Sequence, residues 1–216
     1  MIFADRAEAG RLLAEPLAAM RLQHPLVLAL PRGGVPVGAE IARRLNAPFD
    51  VVFVRKLGAP DQPELAVGAI ADGAEPEIVL NTELVAMLGL DEDYIAAAAK
   101  RELGVIEQRR REWAALRPAV EPVGRALIVV DDGVATGMTM QAALRQLKRR
   151  RPVRLIAAAP LASREAVAML RREADDVVCL SSPRHFGSVG AFYRSFLQVT
   201  DEEVAALLRE AVARAH

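Results

Sequence analysis

The sequence has almost no cysteine, few aromatic rings and no excess of either charge. Its one cysteine, Cys179, cannot form an internal disulfide, which is typical of a reducing compartment, and its apolar neighbours predict that it is buried. Aromatic residues make up 4% of the 216 residues, so the core must be aliphatic. The 28 basic and 28 acidic side chains balance, which argues against wholesale binding to nucleic acid or anionic membranes.

Long apolar runs are lacking too. No stretch approaches the roughly 20 residues needed to cross a membrane, and acidic residues stand near the N-terminus where a signal peptide would be apolar. We therefore expect a cytoplasmic protein.

Short apolar runs alternate with segments of helical periodicity. This alternation predicts an α/β fold with a mostly parallel sheet and helices on both faces. We predict one domain over 1–216, with a core at about 26–180, a helical insertion at about 81–117 and a C-terminal segment at 181–216; the insertion and the terminal segments are candidates for a small hood over the core. The strands predicted for the core are 26–30, 50–54, 126–130, 153–159 and 177–180.

Local signals add detail between these runs. Proline predicts a break near Pro16 in the first helix, and it predicts a loop at 57–66. The turn residues between 67–71 and 77–80 favour a hairpin. Helix N-caps are predicted at Asn81, Asp91 and Thr200, the last as a capping box with Glu203.

The stretch ALIVVDDGVATGMT, residues 126–139, carries the clearest chemistry. An apolar strand ends in Asp131 and Asp132, and a loop of small residues leads into a helix. Backbone amides in such a loop, backed by a helix N-terminus, can surround a phosphate. Adjacent carboxylates can accept hydrogen bonds from two neighbouring sugar hydroxyls. The pattern predicts a ribose phosphate as ligand.

The sequence VVDDGVATGMT resembles the phosphoribosyl-pyrophosphate (PRPP) motif of the type I phosphoribosyltransferases. The resemblance implies magnesium-dependent transfer of ribose 5-phosphate from PRPP to a nitrogen acceptor, such as a nucleobase, with release of pyrophosphate. Asp131 and Asp132 would bind the ribose hydroxyls, directly or near the Mg²⁺ ion. The loop that would hold the 5-phosphate consists of Gly133, Val134, Ala135, Thr136, Gly137, Met138 and Thr139.

Two further loops match the family by position. Arg32, Gly33 and Gly34 follow the first strand and resemble the pyrophosphate loop, although an ordinary strand-to-helix turn would look similar. Arg55 and Lys56 stand where the family places basic residues for pyrophosphate, although two solvated residues at a strand end are an alternative. The resemblance assigns catalysis to Arg55, Lys56, Asp131 and Asp132. It also likens the segment 57–66 to the family's mobile lid.

The acceptor is not determined by the sequence. Ala135 stands where 6-oxopurine enzymes carry an acid that handles a proton, which weakens that assignment without excluding activity. Phe186, Phe192 and Tyr193 are candidate acceptor-binding rings, and sealing of the core edge or of a subunit contact is an equal alternative. A non-catalytic PRPP sensor and a ribose-phosphate hydrolase remain alternative functions. The expected partners are small molecules, and a homo-oligomer stays open.

Overall fold

The computed structural model describes residues 1–116 and 120–214, and its main element is a five-stranded parallel sheet. The strand order is β2-β1-β6-β7-β8, which places β6 at the centre. All four neighbouring pairs are parallel, so the predicted fold class is confirmed. The strands of this sheet are β1 (Pro25–Ala29), β2 (Phe49–Val51), β6 (Ala126–Val130), β7 (Arg154–Leu161) and β8 (Asp176–Ser181).

Helices cover both faces of the sheet. Helices α1, α2 and α7 pack on one face, and α5 and α6 pack on the other. Helices α3 and α4 lie within the predicted insertion, whose boundary at 117 falls outside the described residues, as do residues 215–216 of the C-terminal segment. The helices are α1 (Arg6–Ala19), α2 (Gly34–Leu45), α3 (Thr82–Met87), α4 (Glu92–Ala114), α5 (Met138–Lys148), α6 (Arg164–Glu173) and α7 (Asp201–Arg214).

Strand β6 is buried on both of its faces. Leu127 and Val129 belong to the cluster beneath α5, whereas Ile128 and Val130 belong to the cluster beneath α2. All four side chains are inaccessible to solvent. Successive side chains of a strand point to opposite faces, so a continuous apolar run can fill both cores of a parallel sheet. The central strand is therefore a rigid base for the loop that follows it.

A second, antiparallel sheet corrects two sequence predictions. It consists of β3 (Val54–Ala59), β4 (Gln62–Ala71) and β5 (Glu77–Leu80), in the order β3-β4-β5. The predicted strand 50–54 is right in place but wrong in extent, because β2 ends at Val51, where the chain leaves the main sheet, and β3 starts at Val54. Val52 and Val54 are buried in the same core cluster, so the apolar pattern continues across this break.

The predicted loop at 57–66 is also wrong, because these residues form most of the β3–β4 hairpin. Strand β5 pairs only with Gly68–Ala71, so Pro63 lies where β4 has a single neighbour. A proline is tolerated there because its missing N–H has no strand to bond. The predicted hairpin between β4 and β5 is confirmed.

The remaining local predictions concern the break at Pro16, the burial of Cys179 and the helix caps. Helix α1 continues through Pro16, which is exposed, because the buried side chains of Leu13 and Leu17 hold the helix on the sheet. Cys179 is only half-buried because β8 is an edge strand. The predicted caps are confirmed by hydrogen bonds from Leu84 N to Asn81, from Tyr94 N to Asp91, and between Thr200 and Glu203 in both directions.

No helix in the described part of the chain is both long and apolar enough to cross a bilayer.

Leu144 connects the core to the helix that begins at the ribose-phosphate motif. Its side chain is fully buried in α5. We expect Leu144→Ala to lower the free energy of unfolding by about 2–5 kcal/mol through lost apolar contact and a residual cavity. Urea unfolding followed by circular dichroism measures this change. Lys148→Ala, at the exposed end of the same helix, serves as the control and should stay within about 0.5 kcal/mol of wild type; equal losses would contradict the packing argument.

Candidate active site

A cleft of about 560 Å³ lies at the carboxyl end of β6, between the main sheet, the β3–β4 hairpin and α4. Ligands of parallel α/β sheets bind at this edge because the connecting loops meet there. The wall combines many charged groups with apolar side chains such as those of Leu30 and Val54. Its polar residues are Arg55, Lys56, Glu64, Tyr94, Arg101, Glu102, Asp131 and Thr139.

The loop after β6 is fixed to the neighbouring strand and helix. Val134 N donates to the carbonyl of Leu161 at 2.9 Å, and Ser163 N donates to the carbonyl of Val134 at 2.9 Å. Ser163 Oγ donates to the carbonyl of Ala135 at 2.7 Å and also accepts from the amide of Ala166 as the N-cap of α6. These bonds engage the carbonyls of 134 and 135 on the β7–α6 side, so the loop is held in one conformation.

The outer part of the loop is open to a ligand. Ala135 and Thr136 are exposed, and Gly137 adopts a φ of +84°, which favours glycine. Helix α5 begins at Met138, so its first N–H groups have no partner within the helix. Amides at such a helix start attract anions. Binding of the 5-phosphate by this loop stays a prediction.

The segment 31–34 lies directly against the acid pair. A Cβ added to Gly33 would stand 2.6 Å from Cγ of Asp132, and one added to Gly34 would stand 2.5 Å from the carbonyl oxygen of Val130. Glycine is therefore required at both positions for this close approach. The peptide bond between Pro31 and Arg32 is cis. The two loops predicted from separate parts of the sequence thus meet at one place.

The two acids face different surroundings. Asp131 lines the cleft, and burial raises the pKa of its carboxyl well above the ordinary range, with a further rise from the charge of Asp132 and an opposing effect from Lys56. Asp132 is buried and accepts a hydrogen bond from Arg6 Nε at 2.7 Å. Burial raises the pKa of Asp132, and Arg6 opposes that rise. Only the first acid is directed into the cleft.

The predicted cations are distributed over three elements. Arg55 and Lys56 lie inside β3 rather than at the end of a main-sheet strand, and both line the cleft. The Arg55 guanidinium pairs with Glu102 of α4 at 2.8 Å. Arg32 does not line the cleft; its guanidinium lies 3.8 Å from Asp201 at the start of α7.

The chain termini supply contacts that sequence reasoning missed. Arg6 lies 3.8 Å above the ring of Phe196 and donates to the carbonyl of Leu197 at 2.6 Å. The Tyr193 hydroxyl donates to the carbonyl of Asp132 at 2.5 Å. Arg101, Tyr94 and Glu102 of the cleft were also missed, because nothing in the periodicity of α4 distinguishes them from other polar helix residues.

The three aromatic candidates for acceptor binding occupy one cluster with Phe3. The ring centroids of Phe186 and Phe192 are 5.6 Å apart, and those of Phe3 and Tyr193 are 5.5 Å apart. Tyr193 is 6% exposed and fixes the motif backbone, so its ring has a structural contact in this structure. Stacking of these rings on an acceptor stays a prediction.

The fold and this site define a domain of the phosphoribosyltransferase type. The family model for the phosphoribosyl transferase domain matches residues 4–194, and the chain belongs to that family. The predicted membership of a phosphoribosyltransferase family is thereby confirmed.

Related proteins agree with the assignment. In two strains of Mycobacterium tuberculosis, proteins named "Putative phosphoribosyl transferase" are 42% identical over 210 residues, which are 97% of this chain and 47% of each of those proteins. This chain therefore spans about half the length of those relatives. The crystal structure of TT1426 from Thermus thermophilus is 46% identical and has a TM-score of 0.82, covering 97% of this chain and 99% of that one. The AQ2163 protein of Aquifex aeolicus, at 11% identity and a TM-score of 0.54 over 86% of this chain and 78% of that one, shares the fold.

Because the pKa of Asp131 is raised in the folded protein, the free energy of unfolding should depend on pH. Because the native carboxyl holds its proton more tightly than the unfolded chain, its contribution to stability falls as the pH rises above its ordinary value of 3.8. Asp131→Asn removes this penalty. We expect the variant to be more stable than wild type at pH 7, by a gain on the order of 1 kcal/mol, and the gain should vanish well below pH 3.8.

Urea unfolding at several pH values in EDTA measures the gain. Asp93→Asn, at an exposed position on α4, is the matched control and should give no gain that grows with pH. A loss of stability in Asp131→Asn at neutral pH would contradict the electrostatic argument.

Proposed function

We propose that the chain transfers the ribose 5-phosphate group of PRPP to a nitrogen acceptor and releases pyrophosphate. The observation that carries the proposal is the meeting of three groups at one cleft: Thr139 at the start of α5, directly after the loop 133–138, the carboxylate of Asp131 and the cations of β3. Phosphate, sugar hydroxyls and a departing pyrophosphate each need one of these groups. Membership of the phosphoribosyl transferase domain family supports the same reaction class.

The loop 133–139 would bind the 5-phosphate through its outward amides and the hydroxyls of Thr136 and Thr139. This contact would hold the sugar while the C1–O bond to pyrophosphate breaks and the acceptor nitrogen forms the new bond at C1. Asp131, with Asp132 beside it, would address the ribose hydroxyls. Orientation of this kind lowers the barrier because the reacting atoms are already aligned.

Negative charge grows on the pyrophosphate as the bond breaks. Lys56 and Arg55 line the same cleft, and Arg32 stands on the adjoining loop. Fixed cations that meet a developing charge stabilise the transition state more than the ground state, which is the requirement for catalysis. Glu102 fixes the Arg55 guanidinium at 2.8 Å, so this cation is oriented before the substrate binds.

The residues present fit a magnesium ion that is bound mainly by its substrate. The described residues contain no cluster of three or more candidate ligands from histidine, cysteine and carboxylate side chains. Mg²⁺ commonly takes one or two carboxylates and completes its shell with water and substrate phosphates. Asp131 would supply such a carboxylate in the cleft, whereas Asp132 is buried beside Arg6 and would not contact the ion directly. When bound, the ion would neutralise charge on the pyrophosphate.

The proposal specifies the acceptor only as a nitrogen nucleophile. Nucleobases are the first class to test. Ala135 is exposed in the loop and carries no proton-accepting group, so the loop provides no base for the acceptor proton. A cytoplasmic location and small-molecule substrates without nucleic acid remain expectations from the sequence, which leaves a homo-oligomer open.

Pyrophosphate release tests the proposed function. The purified chain, with Mg²⁺ and PRPP, is incubated with single candidates from a panel of nucleobases and other nitrogen nucleophiles, and released pyrophosphate is measured. We expect release that requires one class of acceptor. Calorimetric binding of PRPP without release across the panel would favour the sensor, and phosphate release without any acceptor would favour the hydrolase. Absence of PRPP binding would contradict the proposal.

Lys56 offers the sharpest single substitution. We expect Lys56→Ala to lower the rate of pyrophosphate release by about a few hundredfold, the usual effect of removing one contact to a developing charge. Combining it with Asp132→Asn should abolish PRPP binding or turnover. Lys148→Ala removes the same charge at the far, exposed end of α5 and should leave the rate unchanged. An active double variant, or an equal loss in the control, would contradict the assignment of Lys56.

A further inference from the structure

The side chain of Arg6 contacts three residues: Asp132 of the PRPP motif, and Phe196 and Leu197 of the segment before α7. Its Nε donates to Asp132 Oδ2 at 2.7 Å, and one terminal nitrogen donates to the carbonyl of Leu197 at 2.6 Å. Its guanidinium carbon lies 3.8 Å from the centre of the Phe196 ring. The Arg6 side chain is 11% exposed and that of Asp132 is 12% exposed. Solvent therefore screens this pair weakly.

Asp132 is enclosed on its other sides as well. The absent side chain of Gly33 leaves just enough room for its carboxylate, since a Cβ there would overlap it. The backbone carbonyl of Asp132 accepts from the Tyr193 hydroxyl at 2.5 Å, and Tyr193 stacks on Phe196 with ring centroids 5.1 Å apart. The cation and the hydroxyl thus reach Asp132 from α1 and from the segment 193–197, which also support each other.

Asp131 has a different environment. It lines the cleft together with Lys56 and Thr139, whereas neither Arg6 nor Asp132 does. A sugar that enters the cleft can therefore reach the first carboxylate directly. The second carboxylate does not line the cleft, and its Oδ2 already accepts a hydrogen bond from Arg6.

We propose that Arg6 is a positioning residue for the PRPP motif, acting through Asp132, and that Asp131 is the acid that addresses the ribose. The inference rests on the proposed function and divides the roles of the two acids within it. Arg6 compensates the buried charge of Asp132 and fixes the first turn of the loop between α1 and the segment 31–34. Removing one partner leaves the other charge buried and unpaired, which favours rearrangement of the loop.

A double-mutant cycle tests the positioning role. PRPP affinity is measured by calorimetry with Mg²⁺ for wild type, Arg6→Ala, Asp132→Asn and the combined variant, with thermal unfolding recorded for each. We expect each single variant to bind PRPP about tenfold or more weakly, and the combined variant to bind no worse than the weaker single one, because both substitutions break the same pair. Arg6→Lys, which keeps the charge but not the fork of donors, should recover part of the affinity.

Two variants serve as comparisons. Arg11→Ala removes an arginine from the same helix whose side chain is 59% exposed, and it should leave PRPP affinity within about twofold of wild type, since isolated surface pairs contribute little. Asp131→Asn should lose detectable PRPP binding while remaining folded. If Arg6→Ala does not fold, Arg6→Lys and Phe196→Leu provide the same comparison with smaller changes.

The outcomes distinguish failure of the proposed function from failure of the role assigned to Arg6. Failure of the wild-type chain to bind PRPP contradicts the proposed function and this inference with it. Binding by wild type that Arg6→Ala leaves unchanged or strengthens overturns the inference alone, because Arg6 would then be structural or would compete with the ribose. Losses that add in the combined variant would overturn it too, since Asp132 would then contact PRPP independently of Arg6.

Discussion

The placement of two adjacent carboxylates at the end of the central strand, with Asp132 buried and Asp131 partly buried at the cleft, is the constraint on which the site depends. Negative charges out of water are costly unless cations or hydrogen-bond donors face them. The structure provides these from two directions: Lys56 approaches Asp131 across the cleft, and Arg6 pairs with Asp132 on the opposite side. Strand β6 is buried on both faces and therefore holds the two acids that follow it in a fixed position.

Some elements around the acid pair hold the loop after β6 in place, and others form the charged wall of the cleft. The loop after β6 is held by hydrogen bonds to β7 and to Ser163, so its conformation is set without a ligand. The small sheet and α4 supply the charged wall, and the Arg55–Glu102 pair joins them. Preorganised groups of this kind stabilise a developing charge without reorganising during the reaction. The domain thus combines a loop fixed by hydrogen bonds with a wall of mixed charge that the small sheet and α4 supply.

Features set by neighbouring residues could be predicted from the sequence, whereas features set by tertiary contacts could not. The strand 126–130, the helix start that follows it, the capping residues and the approximate positions of the main strands were correct because hydrophobic periodicity and caps are local properties of the chain. The hairpin at 54–71 was missed because prolines and glycines resemble a loop until the single-neighbour position of Pro63 is known. The continuation of α1 through Pro16 was missed because burial of Leu17, a tertiary contact, outweighed the loss of one helical hydrogen bond.

The sequence by itself determined the family, the central strand and the loop that follows it, since adjacent acids, small residues and a helix start are contiguous in the chain. Only the tertiary structure decided which way each acid faces. Arg6 and Asp132 are 126 positions apart, and nothing local distinguishes Arg6 among the 28 basic residues. Pairing over such a distance depends on the packing of α1 and the segment 193–197 against the sheet, which no periodicity encodes.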